Sequence, residues 1–400
     1  MRRGGALVLG GVVLAAAIVF ASRPLGVAGL GLLLAALVAR VWVALAGGPV
    51  DIRTTTAPDP ATEGDEVTLR IEARRGSRLA LGSAVVVGTL EGFGTYECRL
   101  RSHDGRLTGE LPLGALPRGR FESDDAEIEL RDPLGLEVRS QPLGIAVSAL
   151  VQPRLVELRT LFDDRGRLPG ESRRFLLRRP SGFDFHSVRE YEEGESLRRV
   201  HWPTTARRGR LMVKELEDSP RESLVVVLDC DPVGDAGTSP KSSFDAAVRA
   251  AGSILRIHVV RGRRSGLVTT AQADCVTTAS SLDGEFGSVL SALAAVRASA
   301  ACDLARFLER PPRSVDHAPE VVVVTATQSP AAARRLLDLA SRRAVAVVWI
   351  DASSYAGRPT RAVPAVLQLS AAGIPIAVVR QGDDLATALE APRGEVRASG

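Results

Sequence analysis

Lysine is almost missing from this 400-residue chain: Lys214 and Lys241 are the only two, so arginine supplies nearly all of the 51 basic residues. So strong an arginine bias reads as genome composition rather than as chemistry. Cysteine is scarce as well. Cys98, Cys230, Cys275 and Cys302 stand apart with no C-x-x-C pair, which argues against both a zinc site and a disulfide framework. They read as free thiols and favour a reducing compartment. Several catalytic signatures are also missing. No G-x-G-x-x-G follows a strand-like run, and no G-x-x-x-x-G-K-[ST] occurs, so dinucleotide and P-loop phosphate cradles are unsupported. H-E-x-x-H and G-x-S-x-G are absent too, and no Ser-His-Asp or Cys-His set stands out. Net charge excludes a further class. The chain totals +4, but Arg2, Arg3, Arg23 and Arg40 lie in the first fifty residues, which hold no acid. The rest of the chain is neutral, so no polyanion-binding surface is implied and nucleic acid is not an expected partner. What remains is ordinary globular composition, 45% hydrophobic and 24% charged, which rules out wholesale disorder and suggests two or three domains.

The first fifty residues are the exception to that globular pattern. An uncharged apolar run from Gly4 to Ala21 follows Arg2-Arg3. Ser22-Arg23-Pro24 interrupts it, and a second run from Leu25 to Ala46 carries only Arg40. At roughly 1.5 Å per residue the second run spans a hydrocarbon core of about 30 Å, and the first barely does. Arg40 costs about 3 kcal/mol at a bilayer midplane but can snorkel from near a helix end. A cleaved signal peptide is the rival reading of the first run, although no convincing A-x-A site precedes Pro24 and a second run follows at once. A transmembrane helical hairpin (about 4–21 and 25–46) within residues 1–50 is therefore expected. Arg2, Arg3, Arg40 and Arg53 flank one side and Arg23 the other. The positive-inside bias then places the soluble domains in the cytoplasm of a multi-pass cell-membrane protein.

Residues 51–153 read as a small antiparallel β-sandwich. Val67, Leu69, Ile71 and Ala73 alternate with polar neighbours, as do Ala126, Ile128 and Leu130, with frequent Gly and Pro between the runs. Asp132-Pro133-Leu134-Gly135 makes a turn. His103, beside Asp104-Gly105, reads as a loop histidine. Residues 154–221 form a connector, arginine-rich and polar up to 181 and thus expected to be solvated.

From 222 to 400 the pattern becomes α/β. Leu224-Val225-Val226-Val227-Leu228 is a fully apolar run, as for a strand covered on both faces, and similar runs recur at 321–324, 344–350 and 374–379. Between them Ala247, Val248, Ala251, Ile254 and Leu255 share a helical face after Ser242-Ser243. Ser329 and Pro330 open another helix, and Gly373 sits where a helix would end. The alternation predicts an open, doubly wound parallel sheet, whose ligands bind beyond the carboxyl ends of the strands. The segment there reads Asp229-Cys230-Asp231-Pro232-Val233. Asp229 and Asp231 could hold a divalent cation, but the later strand ends Thr325-Ala326-Thr327 and offers no matching ligand. Cys230 is a poor nucleophile between two carboxylates. No cofactor is implied.

Residues 182–214 hold the densest unusual chemistry, most of it within 182–207. Gly182, Asp184, Phe185, Arg189, Tyr191, Gly194, Glu195, Arg198, Val200, Trp202, Thr205, Ala206 and Arg207 fall within one short stretch. Val200 and Trp202 read as sharing one face of a strand, with Arg199 and His201 opposite. From Arg165 to Arg221 there are 14 basic residues and 9 acidic ones, too mixed for a phosphate track. Two readings compete: an ion-pair network that pins the connector down, with Arg189, Arg198 and Arg207 forking onto carboxylates, and a docking face rich in hot-spot residue types.

This stretch resembles the signature of the domain-of-unknown-function 58 family, roughly G-x-[DE]-F-x-x-x-R-x-Y-x-x-G-[DE]-x-x-R-x-[IV]-x-W-x-x-[ST]-A-R. The resemblance extends to the paired apolar helices, to Leu116-Pro117-Arg118-Gly119 and Asp132-Pro133-Leu134-Gly135, and to the strand ending at Asp229. It implies a bacterial membrane-anchored protein whose residues 222–400 form a von Willebrand factor A-like domain. Glu195 stands where an Asp is usual. The D-x-S-x-S metal motif of true von Willebrand A domains lacks both serines here, and a later aspartate is replaced by Ala326, so metal-dependent adhesion does not carry over. The resemblance further implies association with a MoxR-type AAA+ ATPase and with transglutaminase-like membrane proteins, in cell-envelope or complex-assembly roles. The expected function is thus a membrane-anchored scaffold or adaptor rather than an enzyme. The rival is an unrecognised metal-dependent hydrolase using Asp229 and Asp231.

Overall fold

The computed structural model describes residues 5–46, 50–75, 83–103, 106–143, 147–161, 184–190, 202–217, 224–279, 282, 284–299, 303–360 and 363–390. Two compact units result: Met1–Arg154 with Ala294–Val296, and Leu155–Leu293 with Arg297–Gly400.

The first unit begins with two apolar helices, α1 (Gly5–Val19) and α2 (Arg23–Ala46), that fold back on each other. Small residues make the contact. Ala6, Gly10 and Ala17 are buried on α1, and Gly29, Ala36, Ala39, Val43 and Ala46 on α2. A Cβ at Gly29 would sit 2.8 Å from the Leu14 amide nitrogen, so only glycine permits this approach. The large side chains point outward: Val12, Ile18, Leu30, Leu34 and Leu45 are all more than half exposed. Small residues within and bulky apolar residues without is the arrangement of helices that pack in lipid. Among the described residues only α2, at 24 residues, is long and apolar enough to cross a membrane. α1, at 15 residues, falls short of the expected span.

Among the described residues ten strands follow: β1 (Val50–Ala57), β2 (Ala61–Thr62), β3 (Glu66–Arg75), β4 (Ser83–Leu90), β5 (Gly94–His103), β6 (Arg106–Ala115), β7 (Gly119–Ser123), β8 (Glu127–Arg131), β9 (Val138–Pro142) and β10 (Val147–Gln152). They form a seven-stranded antiparallel sheet, β1-β3-β6-β5-β4-β8-β9, and a three-stranded sheet, β2-β10-β7. The alternating residues behave as expected, with Val67, Leu69, Ile71, Ala73, Ile128 and Leu130 all buried in one core. His103 is not in a loop; it closes β5 opposite Arg106. The turn after β8 is stapled by Asp132, whose carboxylate accepts the Leu134 and Glu137 amides at 2.8 and 2.7 Å.

The second unit opens with a segment read as solvated connector, and its described part is anchored instead. The Val156 amide donates to Ser253 Oγ at 3.0 Å, Leu155 packs on Gly252, and Leu161 is buried. Then come β11 (Asp184–Glu190), α3 (Trp202–Arg208) and β12 (Met212–Glu217), with β11 and β12 paired antiparallel. The main sheet contains β13 (Leu224–Leu228), β14 (Ser265–Thr269), β15 (Gln272–Ala279), β16 (Glu320–Thr325), β17 (Ala344–Ile350) and β18 (Ile376–Val379) in the order β15-β14-β13-β16-β17-β18. The all-parallel expectation needs one correction. β15 runs antiparallel at the edge, because the two residues joining it to β14 cannot make a crossover. The helices are α4 (Ser243–Val260), α5 (Glu285–Ala295), α6 (Leu304–Glu309), α7 (Arg313–His317), α8 (Pro330–Ala340), α9 (Ala352–Tyr355), α10 (Pro364–Ala371) and α11 (Leu385–Glu390). α4 starts with a capping box between Ser242 and Asp245, α8 with Ser329 as N-cap, and Gly373 follows α10 at φ +78.

Candidate functional site

β13 is central, with β14 on one side and β16 on the other, so sheet growth reverses at its carboxyl end. A ligand crevice is expected at that switch point. Asp229 occupies it, buried to 7% exposure. Its carboxylate is already engaged: Thr325 Oγ1 donates to Oδ2 at 2.6 Å, and the Asp231 amide donates to Oδ1 at 3.2 Å. Desolvation is the main cause raising its pKa above the ordinary carboxylate value, opposed by the Thr325 and Asp231 hydrogen bonds. Thr325 thus supplies the partner oxygen that the sequence reading did not find, but as a donor to Asp229. In turn it accepts the Thr327 amide at 3.0 Å.

Asp231 points elsewhere. Its Oδ1 accepts the Val233 amide at 2.9 Å and caps a single 3-10 turn, Pro232–Gly234. That turn presses against the β16 loop: a Cβ on Gly234 would meet the Ala326 methyl at 2.8 Å. The crevice between the two loops is therefore closed by Gly234 packing on Ala326, at the position where the metal motif would require an aspartate. Among the described residues no group of three or more His, Cys, Asp or Glu is placed to hold a metal ion. Cys230 is fully buried, and desolvation pushes its thiol up to about 11, so it is a neutral packing residue.

A second buried carboxylate, not singled out in the sequence, ends β17. Asp351 accepts Thr360 Oγ1 at 2.6 Å and the Ser353 amide at 3.1 Å, with Arg380 Nε 4.0 Å away. The common signal is an acid immediately after an apolar strand, Leu228-Asp229 and Ile350-Asp351. In both cases the acid fastens the loop that leaves the sheet. A small, mostly apolar cavity lined by Thr325, Ser329, Leu336, Trp349 and Leu369 has a volume of about 10 Å³, room for no more than one water.

The 182–207 stretch is only partly within the described residues. Asp184, Phe185 and Arg189 lie on β11. Gly182, Tyr191, Gly194, Glu195, Arg198 and Val200 lie outside the described residues. Trp202, Ala206 and Arg207 sit on α3. Trp202 therefore opens a helix rather than continuing a strand: Pro203 fits a first turn and Thr-Thr-Ala-Arg-Arg continues it. The helix ends at Gly209, φ +68, and Thr205 Oγ1 accepts the Met212 amide at 3.0 Å, tying α3 to the start of β12. Trp202 is 64% exposed, and Arg207 lies exposed in the last turn.

Residues 187–355 match the family described as "Protein of unknown function DUF58". The match takes in the stretch from Arg189 onward together with Asp229, Asp231 and Asp351. A curated protein of Bacillus subtilis (strain 168), "Uncharacterized protein YeaD", is 25% identical over 221 residues. That similarity covers 54% of this chain and 53% of that protein, so the chain spans about half the length of the curated relative it matches. Among solved structures, Cwp6 from Clostridium difficile gives a TM-score of 0.22 at 9% identity, covering 84% of this chain and 37% of the other. The pilus adhesin RrgA from Streptococcus pneumoniae gives 0.16 at 11% identity, covering 76% and 42%. Neither score carries an argument about this fold.

Proposed function

We propose that the chain is a membrane-anchored scaffold or adaptor, with α3 and its surroundings docking a MoxR-type AAA+ ATPase in envelope-related or complex-assembly work. The observation that carries this reading is Trp202: a large aromatic, 64% exposed, on a helix that Thr205 fastens to β12. Exposed aromatics beside arginines are the residue types that dominate binding hot spots. ATP would be the partner's cofactor. In this reading α1 and α2 form a two-helix membrane hairpin, supported by their small-residue contact and apolar exterior. Arg2, Arg3, Arg40 and Arg53 on one flank against Arg23 on the other support a cytoplasmic side for the soluble units in this reading, and the switch-point position of Asp229 supports a von Willebrand A-like reading of the main sheet. A transglutaminase-like membrane protein would be a neighbour in the same assembly. The rival hydrolase reading has less support, since Asp229 is occupied by Thr325 and Asp231 faces its own turn.

The test is capture of the detergent-solubilised full chain from its native membrane with ATP present, beside a Trp202→Ala variant. Because Trp202 is exposed, the variant keeps its fold, and circular dichroism confirms it. An AAA+ ATPase identified with the parent and lost from the variant supports the reading. Equal recovery moves the contact away from α3, and no ATPase with either refutes the adaptor assignment.

A further inference from the structure

α2 is docked onto the β-sandwich next to it in sequence, and the manner of docking has a consequence for the membrane surface. Arg40 Nη1 lies 3.5 Å from Glu137 Oε1, and Arg139 Nη1 donates to the Ala44 carbonyl at 3.4 Å. The second contact satisfies one of the orphan carbonyls at the helix end with a cation. Together they hold the start of β9 beside the last turns of α2. The β8–β9 turn immediately precedes Glu137, so it lies no more than about four residues, roughly 13 Å of chain, from the Arg40 contact.

In that turn Pro133, Leu134 and Gly135 are exposed, Leu134 to 71%, and the Asp132 carboxylate holds the turn rigid. Alongside, α2 keeps an apolar exterior almost to its end, with Leu37, Val41 and Leu45 all more than half exposed. A span from Leu25 to Leu45 measures about 31 Å, which matches a hydrocarbon core and leaves Arg40 just inside its edge. A lone arginine there is costly, and Glu137, reaching from the sandwich, is its named partner.

We infer that the Pro133–Leu136 turn is a second membrane contact: it enters the leaflet through which α2 emerges, Leu134 lying among phospholipid headgroups and upper acyl chains, with Glu137 neutralising Arg40. This rests on α2 being a membrane helix. The sandwich would then sit directly on the bilayer in one orientation rather than swing on a linker.

A photoreactive benzophenone amino acid placed at position 134 of the full chain tests this in phosphatidylcholine–phosphatidylglycerol vesicles carrying a fluorescent phospholipid. Leu37, on α2, is the positive position, and Phe93, in the turn between β4 and β5, is the aqueous control. Lipid labelling at 134 is expected near that at 37 and at least about tenfold above that at 93, the ratio expected when one leucine favours lipid over water. Adding Glu137→Ala should reduce labelling at 134 but not at 37; an unchanged yield would overturn the role of the Arg40 pair. Labelling at 37 but not at 134 overturns the turn insertion and leaves the anchor standing. Labelling at neither overturns both, and equal labelling at 93 and 134 shows only unspecific lipid contact and overturns the insertion.

Discussion

His258 offers a sharp test of the core of the second unit. It lies on the last turn of α4 with no exposure, and neither ring nitrogen has a hydrogen-bond partner. Desolvation, reinforced by the nearby Arg263 and Arg261 charges, pushes its pKa down to about 3 from an ordinary 6.5. The unfolded chain therefore takes up a proton near pH 6.5 that the folded chain refuses. Stability is fully present above pH 6.5 and is lost as pH falls from there toward 3, at about 1.4 kcal/mol per pH unit. His258→Leu removes the titrating group at similar volume. At pH 7.5 the variant should equal or exceed the parent, since two unpaired buried nitrogens disappear. Between pH 6.5 and 4.5 its advantage should grow by roughly 2–3 kcal/mol, about 1–2 M in urea midpoint. Carboxylate titrations are common to both proteins and cancel in the difference. The emission of buried Trp349, in a Trp42→Phe/Trp202→Phe background, reports unfolding of this unit. Parallel urea midpoints for parent and variant from pH 7.5 to 4.5 would refute the reasoning.

Three further outcomes follow from the switch-point loops and the thiols. Asp229→Asn should stabilise the second unit at pH 7 relative to its effect in acid. A carboxylate whose folded pKa is raised contributes stability only below the unfolded value, and a constant difference across pH would count against that assignment. Gly234→Val should cost about 1–3 kcal/mol, because its Cβ has no room beside Ala326; an unchanged melting temperature would mean that the two loops separate freely. Cys98 and Cys230, both buried with pKa values near 11, should resist iodoacetamide at pH 7.5 until urea unfolds their units, and mass spectrometry of the alkylated peptides reads this directly.

Much of the fold was legible along the chain because local periodicity and burial coincide. Leu224–Leu228, 321–324 and 344–350 are strands buried on both faces, and continuous apolar, valine-rich runs announce that. Val67 to Ala73 alternate because one face meets the sandwich core. Ser242, Ser329 and Gly373 mark helix ends through short-range hydrogen bonds and one left-handed φ, all local matters. Where two conformations suit the same residues, the local signal failed. Val200 and Trp202 read as one face of a strand, yet Trp202 opens a helix, and Ser265–Thr269 hides a strand because Gly266 dilutes its apolar run.

The sequence by itself determined the apolar helical start, the change from alternating strands to an α/β pattern, and the position of Asp229 at the end of an apolar strand. Those depend on residues adjacent in the chain. Only the tertiary structure decided what Asp229 does, since its partner Thr325 lies 96 residues away and reaches it through the pairing of β13 with β16. The same holds for Glu137 beside Arg40 and for Gly234 against Ala326. Each is a contact between segments distant in sequence, set by register and packing, which no spacing pattern encodes.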